Sequence, residues 1–377
     1  MVIYSLVAIV TILLACQYDT NAYSDRLLSR RRVLNATAMA AIFCILTALA
    51  ALRVEVGNDY GTYVVTCHEI FQRGYVVTEP GYNLVVRILY TLSGKEDHVL
   101  MFAVFGVAIV FTFLKVFKDQ SDDFALTFFL FMTMGIYFMS FNTVRYYFAL
   151  ALTLYSLRYI VDNINWQNLI KFIVLIAVAA TFHKSVLVVI PMYLIARLSW
   201  NKWIIGALTI LGVLGFIFSN KLMNILLMLY PSYKDTVYLE ESRALLDNAP
   251  IIARCFLVLA LALFTCKDSI RDNIANRTYF NMNIMAIILY LTCWWMPLVT
   301  RLGYYLITAH VLLIPGIVMR IKDDNKRRIV KYFIILFGIA YFMYFLFTAS
   351  HDGIRVLPYK SWLFFDGEWL NQTNLTF

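Results

Sequence analysis

Residues 98–114 of the chain read HVLMFAVFGVAIVFTFL, a stretch without Asp, Glu, Lys or Arg. A helix that crosses the hydrocarbon core of a bilayer needs about 20 predominantly apolar residues. The stretch lacks the strict alternation of polar and apolar residues that marks a strand of a membrane β-barrel. It therefore predicts a membrane-spanning α-helix.

The rest of the chain repeats this pattern. Of its 377 residues, 62% are apolar and 15% are charged. Soluble domains contain about 25% charged residues and cannot bury so much apolar surface. We therefore expect an all-α, polytopic integral membrane protein with about 12 transmembrane helices. The predicted spans are residues 2–16, 33–52, 98–114, 124–141, 144–161, 168–182, 185–197, 203–219, 251–266, 280–297, 302–319 and 332–349.

The basic residues are distributed unevenly between the two sides of these spans. The connections on one side hold 19 of the 32 Lys and Arg residues and 10 of the 23 Asp and Glu residues, a net charge of +9. The other side holds 13 of each and is neutral. Because connections rich in Lys and Arg stay in the cytoplasm, both termini are expected to be extracytoplasmic. The asymmetry also accounts for the charge of the whole chain, so we expect no nucleic-acid partner.

The predicted organisation is one membrane domain over residues 1–377. Neither an internal repeat nor a Gly/Ser-rich or Pro-rich linker divides the chain. Two long connections, residues 53–97 and 220–250, are predicted to be extracytoplasmic loops. Residues 350–377 would form an extracytoplasmic tail.

The first of these loops opens with polar and aromatic residues directly after the second span. They are Arg53, Asp59, Tyr60 and Tyr63. The turn-forming pair Gly57-Asn58 would hold them near the outer leaflet. Polar groups beside a membrane span are functional candidates, although an ordinary surface turn with interfacial tyrosines is the alternative.

Three further candidates lie at predicted helix ends. Glu79 precedes Pro80-Gly81, a sequence that favours a turn or the first turn of a helix. Arg145 follows a two-residue connection between the fourth and fifth spans. An Arg at a helix N-terminus is unfavourable unless an anion is near, although its side chain can also extend to the membrane surface. Arg301, three residues before Tyr304, occupies a similar position.

His183 and Lys184 separate the short segments 168–182 and 185–197. These segments could form one bent helix, but a helical hairpin with its tip outside agrees better with the charge distribution. The ordinary pKa of histidine suits proton transfer near neutral pH, although a capping role is the common alternative. The predicted topology places all the candidates on the outer face. There, a carboxylate or histidine could take a proton from a sugar hydroxyl, and arginines could hold phosphate oxygens.

The candidates form an ordered set of short motifs. In chain order they are Arg53…Gly57-x-Asp59-Tyr60-x-x-Tyr63, Glu79-Pro80-Gly81-Tyr82, Asn142-x-x-Arg145, His183-Lys184-Ser185 and Arg301-x-x-Tyr304. Over about residues 30–320, this set resembles the EpsG family of exopolysaccharide polymerases, which is similar to the Wzy-type O-antigen polymerases. The family often has Gln where this chain has Tyr146, and Thr or Ser where it has Asn58.

The resemblance implies a fold similar to GT-C-type membrane glycosyltransferases, in the bacterial cytoplasmic membrane. It implies a polymerase of O-antigen, capsule or exopolysaccharide that joins polyprenyl-diphosphate-linked oligosaccharide repeat units on the outer face of that membrane. Its partners would be the lipid-linked donor and acceptor and the bilayer. A chain-length regulator is a further candidate partner.

The same resemblance implies roles for the site residues. Asp59, Glu79 and His183 are the catalytic candidates, as base or sugar ligand, and the choice of base stays open. Arg145 and Arg301 would bind the diphosphate. The other predicted substrate-binding residues are Arg53, Tyr60, Tyr63, Lys184 and Tyr304.

We expect neither a metal nor a cofactor. The six cysteines have no Cys-x-x-Cys spacing, and the chain has no Asp-x-Asp motif. Two arginines could stabilise the charge of the leaving group without a metal.

Two other function classes agree with the composition. A transporter, such as a lipid-linked oligosaccharide flippase, would suit twelve spans. It should carry ionisable residues near mid-membrane, whereas these spans are almost free of charge at their centres. Another lipid-substrate transferase, such as an acyltransferase or a mannosyltransferase with a lipid monophosphate donor, is the second alternative.

Overall fold

The computed structural model describes residues 1–19, 29–72, 74, 76–162, 164–229, 245–265, 267–296, 299–351 and 354–364. In these residues the regular secondary structure is helical, and no β-strand is present. The prediction of an all-α chain is therefore confirmed for the described residues.

Helices coincide with the predicted apolar segments and also occupy several of the connections. In chain order the α-helices are α1 (Val2–Cys16), α2 (Arg30–Ala51), α3 (Tyr60–Phe71), α4 (Pro80–Ser93), α5 (His98–Gln120), α6 (Phe124–Thr133), α7 (Ile136–Met139), α8 (Val144–Ser156), α9 (Arg158–Val161), α10 (Trp166–Ala180), α11 (Val189–Arg197), α12 (Lys202–Ile217), α13 (Ser219–Leu229), α14 (Ala249–Thr265), α15 (Lys267–Asp272), α16 (Ile274–Thr292), α17 (Val299–Ile307), α18 (His310–Met319) and α19 (Asp324–Thr348). Short 3₁₀ helices cover Lys184–Val188, Leu245–Asn248 and Trp362–Phe364.

Five helical segments of the described chain are long and apolar enough to cross a membrane. They are Arg30–Ala51, His98–Gln120, Leu245–Thr265, Val299–Met319 and Asp324–Thr348. A sixth would be the pair Lys202–Ile217 and Ser219–Ile225, if these helices, bent by 81°, form one broken span. The chain is therefore compatible with a polytopic membrane protein. The count of 12 spans and the likeness to GT-C-type enzymes stay predictions.

Breaks within several predicted spans explain why fewer helices reach spanning length. The predicted span 124–141 is interrupted at Gly135, whose φ of +72° lies in the left-handed region. A Cβ at this position would lie 2.8 Å from the ring of Phe345, so glycine also permits close packing. The predicted span 144–161 is divided between α8, which ends at Ser156, and the short helix α9, which begins at Arg158.

The chain divides into two compact units. The first comprises Met1–Tyr155, Ala177–Lys184 and Ile329–Phe377, and the second comprises Ser156–Ile176 and Ser185–Arg328. The expectation of one membrane domain with outer loops and an outer tail stays a prediction. The first predicted loop contains α3 and α4, and the second begins with α13.

In the first unit, the C-terminal segment is anchored to the start of the first loop. The backbone N–H of Val54 donates a hydrogen bond to the carbonyl of Lys360 at 3.0 Å. The N–H of Gly57 donates to the carbonyl of Arg355 at 2.8 Å. These bonds fix the path of the chain from the end of α2 into the first motif.

The second unit is organised around α16. This helix contacts α11, α12, α14, α15, α17 and α18. Its Asn281 side chain donates to the carbonyl of Ala196 at 2.8 Å, and its Asn283 side chain donates to the carbonyl of Cys255 at 3.0 Å. Buried His310 shares a 2.8 Å hydrogen bond with Oδ1 of Asn283. These bonds satisfy polar groups inside an apolar bundle.

Candidate functional site

The first motif packs against the third through Gly57. This residue has a φ of +100°, and a Cβ there would lie 2.4 Å from the carbonyl oxygen of Phe141. Glycine is needed both for the backbone conformation and for the close approach. The backbone N–H of Asp59 donates a hydrogen bond to Oδ1 of Asn142 at 3.2 Å. Asp59 is thereby fixed, partly exposed, at the N-cap position of α3.

The second motif begins helix α4 and meets the turn that carries His183. Glu79 is the extended N-cap residue, and Pro80 is the first helical residue, where its fixed φ is favourable. The N–H of Gly81 donates to the carbonyl of Thr181 at 2.8 Å. A Cβ on Gly81 would lie only 2.3 Å from Oγ1 of Thr181. A glycine at this position therefore lets the start of α4 approach this turn.

Glu79 lies between Arg145 and His183. Its Oε2 accepts a hydrogen bond from Nη1 of Arg145. Its Oε1 lies 3.7 Å from Nδ1 of His183 and 3.4 Å from the backbone nitrogen of Lys184, whose side chain is exposed. The side chains of Arg145, Glu79 and His183 are 22%, 13% and 13% exposed, so the cluster is accessible at its surface.

Aromatic rings hold the two cluster residues that flank Glu79. The guanidinium carbon of Arg145 lies 5.2 Å from the ring centre of Tyr82 and 5.6 Å from that of Tyr63, within cation–π range. The hydroxyl of Tyr63 accepts a hydrogen bond from the backbone N–H of Arg145 at 3.2 Å. Burial raises the pKa of Tyr63, so its hydroxyl stays neutral at neutral pH. Tyr146 packs edge-on against the ring of His183, with centroids 5.2 Å apart.

Arg53 and Tyr60 belong to the packed interior of the first unit. Arg53 is 2% exposed, and its guanidinium carbon lies 4.6 Å and 4.9 Å from the ring centres of Phe102 and Phe141. Tyr60 stacks on Phe102 with centroids 4.6 Å apart. Burial raises the pKa of Tyr60 to about 12. Both side chains support the loop in this conformation, and their contact with substrate stays a prediction.

The fifth motif lies in the second unit, on α17. Arg301 and Tyr304 are partly exposed there, and the next residue, Tyr305, is buried. The hydroxyl of Tyr305 shares a 3.1 Å hydrogen bond with Oγ of Ser185. The carbonyl of Tyr305 accepts a bond from the hydroxyl of Tyr193 at 2.6 Å. Residues of the other four motifs come together in the first unit.

The site residues predicted from the sequence did not include three residues that contact the predicted ones. In the sequence, Asn142 and Tyr82 stand out only as parts of motifs, and Tyr146 only as a departure from the family pattern. Tyr82 lies three residues after Glu79, so a helix that starts at Pro80 places both on one side. That spacing was a usable signal for Tyr82.

A family model described as the EpsG family matches residues 37–361 of the chain. The matched range covers all five motifs and more than half of the chain. Neither the curated proteins nor the solved structures gave a match. The resemblance carried by the motifs is therefore confirmed, and the chain belongs to the EpsG family, a family of exopolysaccharide polymerases.

Proposed function

We propose that the protein is a membrane glycosyltransferase that joins polyprenyl-diphosphate-linked oligosaccharide repeat units on the outer face of the bacterial cytoplasmic membrane. Family membership supports polysaccharide polymerisation in general. The observation that best supports the finer chemistry is the cluster of Arg145, Glu79 and His183. An arginine suits phosphate oxygens, and a carboxylate with a histidine suits proton transfer. A chain-length regulator as partner has no support beyond the family resemblance.

In the proposed reaction, a hydroxyl group of the acceptor sugar attacks the anomeric carbon of the donor chain. The new carbon–oxygen bond forms while the bond between the anomeric carbon and the diphosphate oxygen breaks. The diphosphate leaves with the electron pair of that bond, and the hydroxyl proton passes to a base on the protein. Positive side chains stabilise the charge that develops on the leaving group.

We assign the role of base to His183. Oε2 of Glu79 already accepts a hydrogen bond from Arg145. Oε1 of Glu79 faces Nδ1 of His183 at 3.7 Å, and catalytic contacts of this kind often shorten when substrate binds. A bond from Nδ1–H to Glu79 would place the lone pair on Nε2. Glu79 would then orient the base, and Asp59 would serve as a sugar ligand.

We assign the leaving diphosphate to Arg145. Its Nη1 contacts Glu79, and the guanidinium group has further N–H donors for phosphate oxygens. The exposed side chain of Lys184 would add positive charge beside His183. The family resemblance adds Arg301 as a second phosphate ligand and Tyr304 as a substrate contact.

Metal independence stays a prediction. Within the described residues, no three His, Cys, Asp or Glu side chains are grouped so that they could hold a metal ion. The proposed route assigns the leaving-group charge to guanidinium groups, which can stabilise such charge by themselves.

A transporter is the competing function, and one feature of the second unit would suit it. Arg254 and His310 are ionisable and buried in α14 and α18, as coupling residues of transporters are. Membership of a polymerase family favours the enzyme. The two functions differ in the lipid-linked intermediate that accumulates when the protein is missing.

Deletion of the gene is expected to abolish long polymer and to leave single lipid-linked repeat units on the outer leaflet. The measurement is sizing of extracted lipid-linked glycans, combined with labelling of intact cells by a reagent that cannot cross the membrane. Reintroduction of the wild-type gene is the control and should restore long chains. Single units that stay unlabelled, on the inner leaflet, would contradict the polymerase and indicate a flippase.

Gly81→Ala is expected to reduce polymer formation about tenfold or more, because a displaced catalytic group loses its reactive geometry. The new Cβ would meet Thr181 and push Glu79 away from His183. The measurement is polymer formed in a deletion strain, normalised to protein in the membrane. Gly61→Ala is the matched control, because nothing lies within 4 Å of a Cβ at that position in α3. Equal polymer from both variants would refute the role given to this close approach.

A further inference from the structure

A cavity of about 510 Å³ lies between α2 and α5 in the first unit. Its volume falls within the range of roughly 300–1,000 Å³ that is typical of ligand sites. One face of each helix forms its walls. The wall residues of α2 include Arg32, Met39 and Phe43, and those of α5 include Phe111, Lys115 and Lys118. In each helix they recur at helical spacing, so they lie on one side of it. The wall is therefore a continuous surface on two packed helices.

The cavity is cationic at one end and apolar along its length. Arg32 lies in the first turn of α2, and Lys118 lies in the last turn of α5, with Lys115 nearby. Phe43 follows Arg32 by 11 residues in the sequence. That separation corresponds to about 16 Å along a helix. Among the described residues, no Asp or Glu lines the cavity.

Two carboxylates near the cavity form ion pairs with basic residues. Nζ of Lys115 lies 2.9 Å from Oδ2 of Asp119, and Nη1 of Arg31 lies 3.3 Å from Oδ2 of Asp19. Neither acid is part of the wall. Three consecutive arginines, Arg30–Arg32, also occupy the positive end of the α2 dipole. An anion at this end is therefore favoured by both the side chains and the helix.

The two helices touch beyond the apolar end of the cavity. A Cβ on Gly106 would lie 2.9 Å from Cβ of Ala50, so the backbones are close at that level. Both helices are long and apolar enough to cross a membrane. Phe111, on the cavity wall, is 59% exposed, so the wall is open at the protein surface. The cavity has the length and polarity of a site for an amphipathic anion.

We propose that this cavity binds an anionic glycerophospholipid of the bilayer. Its phosphate would lie against Arg32 and Lys118, and one acyl chain would cover Met39, Phe43 and Phe111. Basic pockets between membrane helices at headgroup depth attract anionic lipids. An inorganic phosphate would satisfy the cations but leave the apolar wall in contact with water. The site lies at the start of α2, predicted to be cytoplasmic, and it does not depend on the proposed polymerase reaction.

The test is a titration of delipidated, full-length protein with phosphatidylglycerol, with bound lipid counted by native mass spectrometry. The wild-type protein should bind one phosphatidylglycerol at least about tenfold more tightly than phosphatidylcholine with the same chains. The double variant Arg32→Gln/Lys118→Gln should lose this preference. The matched control is Lys326→Gln/Arg328→Gln, which removes two exposed cations at the start of α19 and should keep it.

A second variant tests the cavity without changing its charge. Ala40 lines the wall, and Ala40→Trp should fill the space and weaken phosphatidylglycerol binding about tenfold or more. Equal losses in the two double variants, or unchanged binding in Ala40→Trp, would overturn the proposal. Displacement of the lipid by an equal concentration of inorganic phosphate would also overturn it, in favour of an ion site. Tighter binding of polyprenyl phosphate than of phosphatidylglycerol would reassign the cavity to the carrier lipid.

Discussion

His183→Gln is expected to lower polymer formation by about a hundredfold or more, because general-base catalysis contributes about 10²–10⁴-fold to a rate. Glutamine is similar in size and can still donate a hydrogen bond to Glu79, but it cannot take a proton from the acceptor hydroxyl. The loss would therefore report proton transfer rather than packing. The measurement is polymer synthesised in a deletion strain that carries the variant, with protein in the membrane quantified in parallel.

The matched control for this exchange is His68→Gln. Nδ1 of His68 also faces a carboxylate, that of Glu96, at 2.9 Å, and its side chain is 46% exposed. Because His68 is outside the cluster of Glu79 and His183, polymer formation should stay within about twofold of wild type. More than a tenth of the wild-type polymer from His183→Gln would remove His183 as the base. Asp59 would then be the next candidate.

Apolar segments located the helices, but they did not reveal where the helices break. A hydropathy pattern averages over about 20 residues and therefore hides a single left-handed residue. Gly135 separates α6 from α7 because its backbone has a positive φ and because Phe345 packs against it. Phe345 is 210 residues away in the sequence, so this contact is tertiary information.

The motifs predicted the residues of the cluster, but they did not predict which of their side chains contact each other. Arg145 at a helix start predicted an anionic partner, and a substrate diphosphate was the expected one. In the structure, the carboxylate of Glu79 already contacts Arg145. The close approach of Gly81 to Thr181 creates the neighbouring contact of Glu79 with His183. No spacing within either motif encodes these contacts.

Arg53 shows a different limit of sequence reasoning. The family resemblance implied that Arg53 binds substrate, and that role stays a prediction. An arginine at the end of an apolar segment normally extends to the aqueous surface. The guanidinium of Arg53 lies between the rings of Phe102 and Phe141, which belong to distant parts of the chain. Burial there lets Arg53 organise the loop that carries Asp59.

Arg145→Lys is the second large effect that we expect, with polymer formation reduced about tenfold or more. A lysine could still reach Glu79, but as a point charge it lacks the planar fork that binds two phosphate oxygens. It would also lose the stacking of the guanidinium against Tyr82 and Tyr63. The protein should remain inserted and abundant because the positive charge is kept. Chain length and total polymer in the deletion strain provide the measurement.

Arg31→Lys is the control for Arg145→Lys. Arg31 also forms an ion pair, with Oδ2 of Asp19 at 3.3 Å, but its side chain is 66% exposed, and such a pair contributes only about 0–1 kcal/mol. This control variant should make normal polymer. Loss of protein from the membrane in Arg145→Lys would assign the arginine to folding. Normal polymer length from Arg145→Lys at normal abundance would exclude it as the diphosphate ligand, because a bidentate phosphate contact cannot be replaced by lysine without loss.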